Sequence, residues 1–459
     1  MQKSLPLAAS IAALVVLSMP CGAATPVLNT LYSFPGEEGA FPEAGLVINN
    51  GSLFGTTYAG GTAGWGTVFE LSPPTPPATA WTFTQLYSFT GGSDGANPRA
   101  SLVFSTHGVI FGTTEQGGQY GYGSIFSLTL TSGTWVFQTV YSFEGAPAGC
   151  GASGPICDGA YPEAGLVQSP KSGLFYGTTY GGGSAGYGTV FQLTPPAPPS
   201  ITWTEKPLWS FLGSPSDGAN PLAGVTFTSK GALFGTTYAG GGVGWGTVFE
   251  LTQSAGVWSE SVLHSFNGAP SSAGGGSACG TSGDPTPCDG GAPAGNVLVN
   301  ATTGVLTGTT TLGGNPTACN QINYEQGCGT VFQLTPPVAP STTWTESLIY
   351  IFGPPQSATL PSFNLASPPA GTPIFGTAFT GASSASLCFP ESYTGCGMVY
   401  MLRAPTPPAT TWTFNTLAVF SGGNGGGPNG VLLQPGILYG TTYEGGIAGG
   451  YGTVFQLIY

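Results

Sequence analysis

Leu53-Phe54-Gly55-Thr56-Thr57-Tyr58, followed by Gly66-Thr67-Val68-Phe69-Glu70-Leu71, decides the fold, because the chain writes both phrases seven times. The Gly-Thr pair recurs at Gly55, Gly112, Gly177, Gly235, Gly308, Gly376 and Gly440. The phrase Gly-x-Val/Ile-Phe/Tyr-x-Leu begins at Gly66, Gly123, Gly188, Gly246, Gly329, Gly397 and Gly452. Between them lie an aromatic-rich run closing at Phe34, Phe89, Phe143, Phe211, Phe266, Phe352 and Phe420, and a Pro before an apolar run, as at Pro42 and Pro98. Six of the aromatic runs open with Trp: Trp81, Trp135, Trp203, Trp258, Trp344 and Trp412. A repeat of roughly 55 residues is the size of a solenoid unit or a propeller blade.

Each repeat reads as four strands. Ala44 to Val47 is a short apolar run (A), and Asn49-Asn50-Gly51 is a turn. Leu53 to Tyr58 returns (B), Gly66 to Leu71 follows (C), and Trp81 to Phe89 alternates bulky and Thr residues with period two (D). No window after the N-terminus has a helical period. The expected fold is all-β: a single seven-bladed β-propeller with four antiparallel strands per blade. The first repeat-like segment is a D strand, Val27 to Phe34, and the last is a C strand, Gly452 to Leu457. The N-terminal strand is therefore expected to complete the last blade and close the ring, which leaves no open edge.

The chain has 459 residues with 41% hydrophobic, 78 Gly and 41 Pro, so turns punctuate strands that have enough apolar residues for a core. Residues 1–24 read as a secretory signal peptide, with Lys3, an apolar run from Leu5 to Met19, and a small-residue end at Gly22-Ala23-Ala24. A lipoprotein reading at Cys21 is disfavoured by Pro20. Residues 25–459 are expected to form the propeller, outside the cell or on its surface. No later segment is apolar enough to span a bilayer. The cysteines beyond the leader fall in close pairs, Cys150/Cys157, Cys279/Cys288, Cys319/Cys328 and Cys388/Cys396, and local disulfides are the simplest pairing in an exported chain. No Cys-x-x-Cys or nearby His supports a metal site, and no cofactor is expected. Charged residues make up only 5%, with a net charge of -13, which argues against nucleic acid and for tolerance of acid.

In a propeller the B–C and D–A loops share one face, where these loops lengthen and all the cysteine pairs fall. Rigid scaffolds carry function on such loops. The candidate ligand-binding residues are the aromatics flanking the B–C loops: Tyr58, Trp65, Tyr122, Tyr180, Tyr187, Tyr238, Trp245, Tyr443 and Tyr451, with Tyr120 beside them. Such rings stack on sugars. The alternative is that they pack between blades. Asp94, Asp158, Asp217 and Asp289 precede Gly in the D–A loops, forming either a carboxylate rim or, preferably, Asp-Gly turns. Glu43 and Glu163 start A strands that line the channel, and Glu115 and Glu444 lie by B–C loops. Paired carboxylates are the parts of a glycoside-cleaving site. His107 and His264 offer no triad, since one sits in an A–B turn and the other in a D strand. No catalytic residue is assigned.

The sequence Pro42 to Val47, Gly51 to Tyr58, Gly60-Gly61, Gly66 to Leu71 and Leu86 to Phe89 resembles the GloVer tandem-repeat family of exported bacterial proteins over nearly the whole chain beyond the leader. The repeats with Gly308 and Gly376 depart most. The resemblance implies a secreted or surface-attached repeat protein and brings no catalytic residues. The expected function is non-catalytic binding of extracellular glycans or a surface partner by a monomer. A polysaccharide-acting enzyme and a purely structural surface protein are the alternatives.

Overall fold

The computed structural model describes residues 25–145, 158–197, 200–268, 288–314, 327–353, 359–361, 364–369, 371–381, 395–447 and 449–459. The chain folds into seven four-stranded antiparallel sheets, one per repeat. In blade one the strands are A, Val47–Asn49; B, Ser52–Thr57; C, Thr67–Ser72; and D, Thr82–Ser88. No helix occurs among the described residues. Strand A is shorter than the sequence suggests. Only Val47 onward pairs with strand B, because Ala44 to Leu46 instead pack toward the axis and the neighbouring blade.

The ring closes as the sequence order implies. Val27–Ser33 pairs antiparallel with Thr453–Ile458, from Val27 opposite Ile458 to Ser33 opposite Thr453. Blade seven is therefore Gly426–Gln434, Ile437–Glu444 and Thr453–Ile458, completed by the N-terminal strand. The buried residues form seven clusters, and each joins one blade to the next. Phe54, Val68 and Phe89 of blade one meet Leu102, Ile110, Phe126 and Leu128 of blade two. The closing cluster joins Phe34, Tyr439 and Val454 of blade seven to Leu46, Leu53, Phe69 and Leu71 of blade one. Burying apolar side chains between sheets is the main stabilising term, about 1.5–3 kcal/mol for each large side chain.

The repeated phrases are explained by contacts. A Cβ on Gly55 would sit 2.6 Å from the Phe69 ring, and the same ring-over-glycine contact recurs at Gly112/Phe126 and Gly440/Phe455. Gly66 and Gly452 have φ near +96 and +98, and a Cβ there would meet the next blade's Pro98 or Pro42. Glycine is required at these positions by conformation and by space. The first Thr of Gly-Thr-Thr donates across the blade boundary. Thr56, Thr113, Thr178, Thr236 and Thr441 reach the carbonyls of Ala100, Ala164, Ala223, Gly295 and Ala44 at 2.9–3.2 Å. The second Thr pairs hydroxyl to hydroxyl with strand C at 2.8 Å in six blades, as in Thr57–Thr67 and Thr442–Thr453. Blade six replaces that polar pair with Ala378 opposite Met398, so both members change together and no buried hydroxyl is orphaned.

In the Leu-Tyr-Ser-Phe run, the residue before the aromatic is a bulge. Tyr87 pairs with Val68 and Gln85 with Phe69, leaving Leu86 extra. The same slip occurs in blades two to six and at the closing strand between Thr30 and Tyr32. A bulge bends the strand and raises its twist.

Candidate functional site

The Pro that precedes each A strand fixes where the following side chain goes. The residue before it takes a left-handed conformation in six blades: Phe41, Asn97, Tyr161, Asn220, Ala292 and Leu360 have φ of 53 to 58. Its N–H donates to the carbonyl that precedes the C-strand Gly of the previous blade, as in Asn97 to Trp65 (2.9 Å) and Phe41 to Tyr451 (2.9 Å). These bonds hold a conformation that is otherwise costly for a side-chain-bearing residue. The residue after the Pro then faces the propeller axis. In order around the ring it is Glu43, Arg99, Glu163, Leu222, Ala294 and, in blade seven, Asn429, and all six line one axial cavity of 740 Å³. Tyr443, Glu444 and Phe379 line it from the B–C side.

Arg99 is the centre of the charged part. Its Nε donates to Glu43 at 2.7 Å, and its Nη1 reaches Glu163 at 3.0 Å and Glu115 at 3.4 Å. The guanidinium lies 5.7 Å from the centre of the Tyr58 ring, within cation–π range. One cation cannot neutralise three carboxylates. Burial pushes Glu163 up to about 7 against the pull of Arg99, and Glu43 is raised for the same reason. Glu444 is raised by burial. Tyr58, Tyr180 and Tyr443 are all raised, first by burial and then by nearby carboxylates. Glu43 and Glu163, raised by burial and by neighbouring carboxylates and lowered by the same guanidinium, therefore hold their protons to higher pH than free glutamates.

The aromatics expected as binding residues fall into two rings on the face of the B–C and D–A loops. Tyr58, Tyr180, Tyr238 and Tyr443 follow the Gly-Thr-Thr phrase and form an inner ring near the axis. Glu115 takes the same slot in blade two, and Phe379 takes it in blade six. Tyr443 stacks on Phe41 at 5.1 Å and meets Phe379 at 6.0 Å. Trp65, Tyr122, Tyr187, Trp245 and Tyr451 form an outer ring. Each covers a glycine of the next D–A loop, so that a Cβ on Gly91, Gly145, Gly213, Gly268 or Gly36 would run into the ring. One side of these rings is thus packed, as the alternative reading held. The other side remains open in four of the five, with Trp65 43%, Tyr122 38%, Tyr187 44% and Tyr451 38% exposed, whereas Trp245 is half-buried; of the inner ring, Tyr238 is 37% exposed. Tyr120 is also exposed.

In blades five and six the outer-ring slot holds Cys328 and Cys396, both fully buried, and Cys288 is buried in a D–A loop. Cys150, Cys157, Cys279, Cys319 and Cys388 lie outside the described residues.

The Asp-Gly residues are turn fasteners. Asp94 accepts from Thr90 N–H (2.8 Å), Thr90 Oγ1 (2.6 Å) and the Tyr87 hydroxyl (3.0 Å). Asp158 accepts from Glu144 N–H, Gly159 N–H and Tyr141, and Asp217 accepts from Leu212 N–H, Gly218 N–H and Trp209 Nε1. Asp289 accepts from Asn267 N–H and pairs with His264 at 3.2 Å. His107 sits in an exposed A–B turn. No group of three or more potential metal ligands occurs among the described residues.

Sequence reasoning placed Glu43 and Glu163 on the channel but missed Arg99. The signal was present: the slot after the Pro reads Glu, Arg, Glu in three successive blades, an alternation of charge around a ring.

The closed ring of seven near-identical sheets, with one acidic mouth on its axis, defines a tandem-repeat β-propeller. The chain belongs to the Gloeobacter/Verrucomicrobia repeat family, whose model matches residues 19–202 and 148–318. No curated protein matches it in sequence. Among solved structures it is similar to an ulvan lyase of a polysaccharide lyase family (9% identity, 91% of this chain and 94% of that one, TM-score 0.48). It is also similar to an ancestral GH74 enzyme (12%, 92% and 48%, 0.47) and to a hypothetical selenium-binding protein from Sulfolobus tokodaii (9%, 80% and 75%, 0.47). At these scores the likenesses carry no argument, and the fold rests on the strand order and the seven inter-blade cores. No helix among the described residues is long and apolar enough to cross a membrane.

Proposed function

We propose that the protein is an exported, non-catalytic binding protein whose ligand is an uncharged glycan, held on the face that carries the B–C and D–A loops. The observation that carries this reading is the outer ring of half-open aromatics around an acidic axial mouth. Aromatic faces stack on sugar rings, and several on one rigid face give multivalent contact. The charge selects the ligand. Arg99 is already engaged by Glu43, Glu115 and Glu163, so among the described residues the mouth has no spare cation for a uronate or sulfate group. Carboxylates instead accept hydrogen bonds from sugar hydroxyls.

The proposal includes removal of residues 1–24 as a leader and local disulfides that fasten the lengthened loops. The disulfide-bonded state of Cys288, Cys328 and Cys396 supports the latter. A monomer suits a ring without an open edge.

The test is a panel of soluble and insoluble polysaccharides, scored for binding and for released products in the same wells. Binding without products, weakened in Trp65→Ala/Trp245→Ala, is the expected result. A second reading has one specific observation in its favour. Glu163, pushed up to about 7, shares a guanidinium with Glu43, an arrangement suited to acid catalysis on a glycosidic bond. Product release that disappears in Glu163→Gln would establish it in place of the first.

A further inference from the structure

On the face of the A–B and C–D loops, each blade contact is fastened by two rings. The B-strand residue just before the Gly of the Gly-Thr pair meets the Trp that opens the next blade's D strand. The pairs are Tyr439–Trp81 (6.2 Å between centroids), Phe54–Trp135 (6.4 Å), Phe111–Trp203 (5.4 Å), Tyr176–Trp258 (6.1 Å) and Phe234–Trp344 (6.3 Å). Blade seven has no such Trp, and Tyr459 takes its place against Phe375 at 4.9 Å. The contact between blades five and six breaks the rule. Strand B of blade five is Leu306–Thr310, so Thr307 occupies the slot that is Phe or Tyr in the other six repeats.

A cavity of 580 Å³ opens there, and both Trp412 and Thr307 line it. The missing ring accounts for the space. Gln333 Nε2 donates to the Thr307 hydroxyl at 3.1 Å, and Asn300 and Asn364 add carboxamides to the wall. Among the described residues no lining residue is charged: the polar groups are all amides and hydroxyls, and Leu298, Val305 and Leu365 supply apolar surface. The same contact carries Tyr400 where the other repeats have Phe. Its buried hydroxyl has no hydrogen-bond partner among the described residues, and Leu365 packs in its cluster.

We infer that this cavity binds one uncharged sugar ring, stacked on Trp412 and hydrogen-bonded by the hydroxyl and carboxamide groups around Thr307. A cavity of this volume is of ligand-site size. An aromatic wall beside neutral donors and acceptors matches a pyranose, which has one apolar face and a rim of hydroxyls. An ionic ligand would find no counter-charge. The site adjoins the axial channel, because Thr226, Asn296 and Asn364 border both cavities, yet it is lined by different blades from the Arg99 cluster. It does not depend on the aromatic face being a glycan site.

Glucose, galactose, mannose and cellobiose are titrated into the protein, followed by tryptophan fluorescence and by saturation-transfer NMR. At least one is expected to bind, and Thr307→Phe, which restores the ring found in the other repeats, is expected to weaken it about tenfold or more. Thermal melting checks that this variant folds. Thr307→Leu fills part of the same space and is expected to weaken binding in the same direction, so the test survives misfolding of the first variant. Absence of binding by all four sugars, binding insensitive to the substitution that folds, or binding of indole with no binding of sugars would each overturn the inference.

Discussion

Replacing Glu205 with Gln makes the propeller less sensitive to alkali, and the size of the effect follows from its surroundings. Glu205 lies on Thr204–Ser210, the D strand of blade three, and its Oε1 is buried with no hydrogen-bond partner among the described residues. Burial, and then the charge of Asp158, push its carboxyl up to about 9. Asp158 is itself pushed up to about 6 by burial, with Glu144 adding charge and Tyr141 donating to it. The folded protein therefore keeps a proton on Glu205 where the unfolded chain, near 4.5, has released it. More protons are bound in the native state, so stability falls with rising pH from about 4.5 to about 9. At roughly 1.4 kcal/mol for each pH step across that window, about 5 kcal/mol is lost by pH 8. With about 2 cal/mol/K of unfolding entropy per residue, that is a fall in Tm of about 5 °C. The glutamine carboxamide has no proton to lose in this range. Thermal melts of both proteins from pH 4 to pH 8 are expected to converge at pH 4 and separate at pH 8, with E205Q the more stable. Equal pH slopes in the two proteins, or wild-type stability that rises with pH, would show that Glu205 does not hold its proton in the folded state.

Other perturbations have outcomes that follow from contacts already described. Arg99→Met leaves Glu43, Glu115 and Glu163 facing one another; it is expected to cost about 1–3 kcal/mol at pH 8 and much less at pH 4, where Glu163, pushed up to about 7, keeps its proton, read from melts at the two pH values. Gly55→Ala drives a methyl into the Phe69 ring at 2.6 Å and is expected to lower stability by about 1–3 kcal/mol in denaturant titration, without changing the secondary structure. Deleting residues 25–34 removes fully buried Phe34 and uncovers the edge of Thr453–Ile458; size-exclusion chromatography is expected to show association or aggregation in place of a single ring.

The fold was legible because its rule is local and repeated. Each landmark in the sequence answers to one contact: Gly55 to the Phe69 ring, Gly66 to Pro98, Thr56 to the Ala100 carbonyl. Closure was legible from the order of strands at the two ends. The site was less so, because departures from a repeat carry no pattern of their own. Glu43, Arg99 and Glu163 look unrelated along the chain and become a cluster only when the ring brings successive blades together. The buried pairs of Glu205 with Asp158 and of Glu260 with Asp217 likewise join residues far apart in sequence, and Glu260 is pushed up to about 7 by that burial. The outer aromatics stand out along the chain, but their half-packed state depends on Gly91 and its equivalents in loops from the next repeat. Sparse charge suggested tolerance of acid, and the raised carboxyls supply a second, structural reason to expect it.

On the proposed reading, the aromatic face and its acidic mouth select an uncharged glycan. The most direct measurement is calorimetric titration of the protein with a neutral glucan and with the same glucan oxidised to carry carboxylates, at matched chain length and low salt. The neutral polymer is expected to bind, the carboxylated one to bind at least about tenfold more weakly, and neither to be shortened. Equal or tighter binding of the carboxylated polymer, or cleavage of the neutral one, would contradict it.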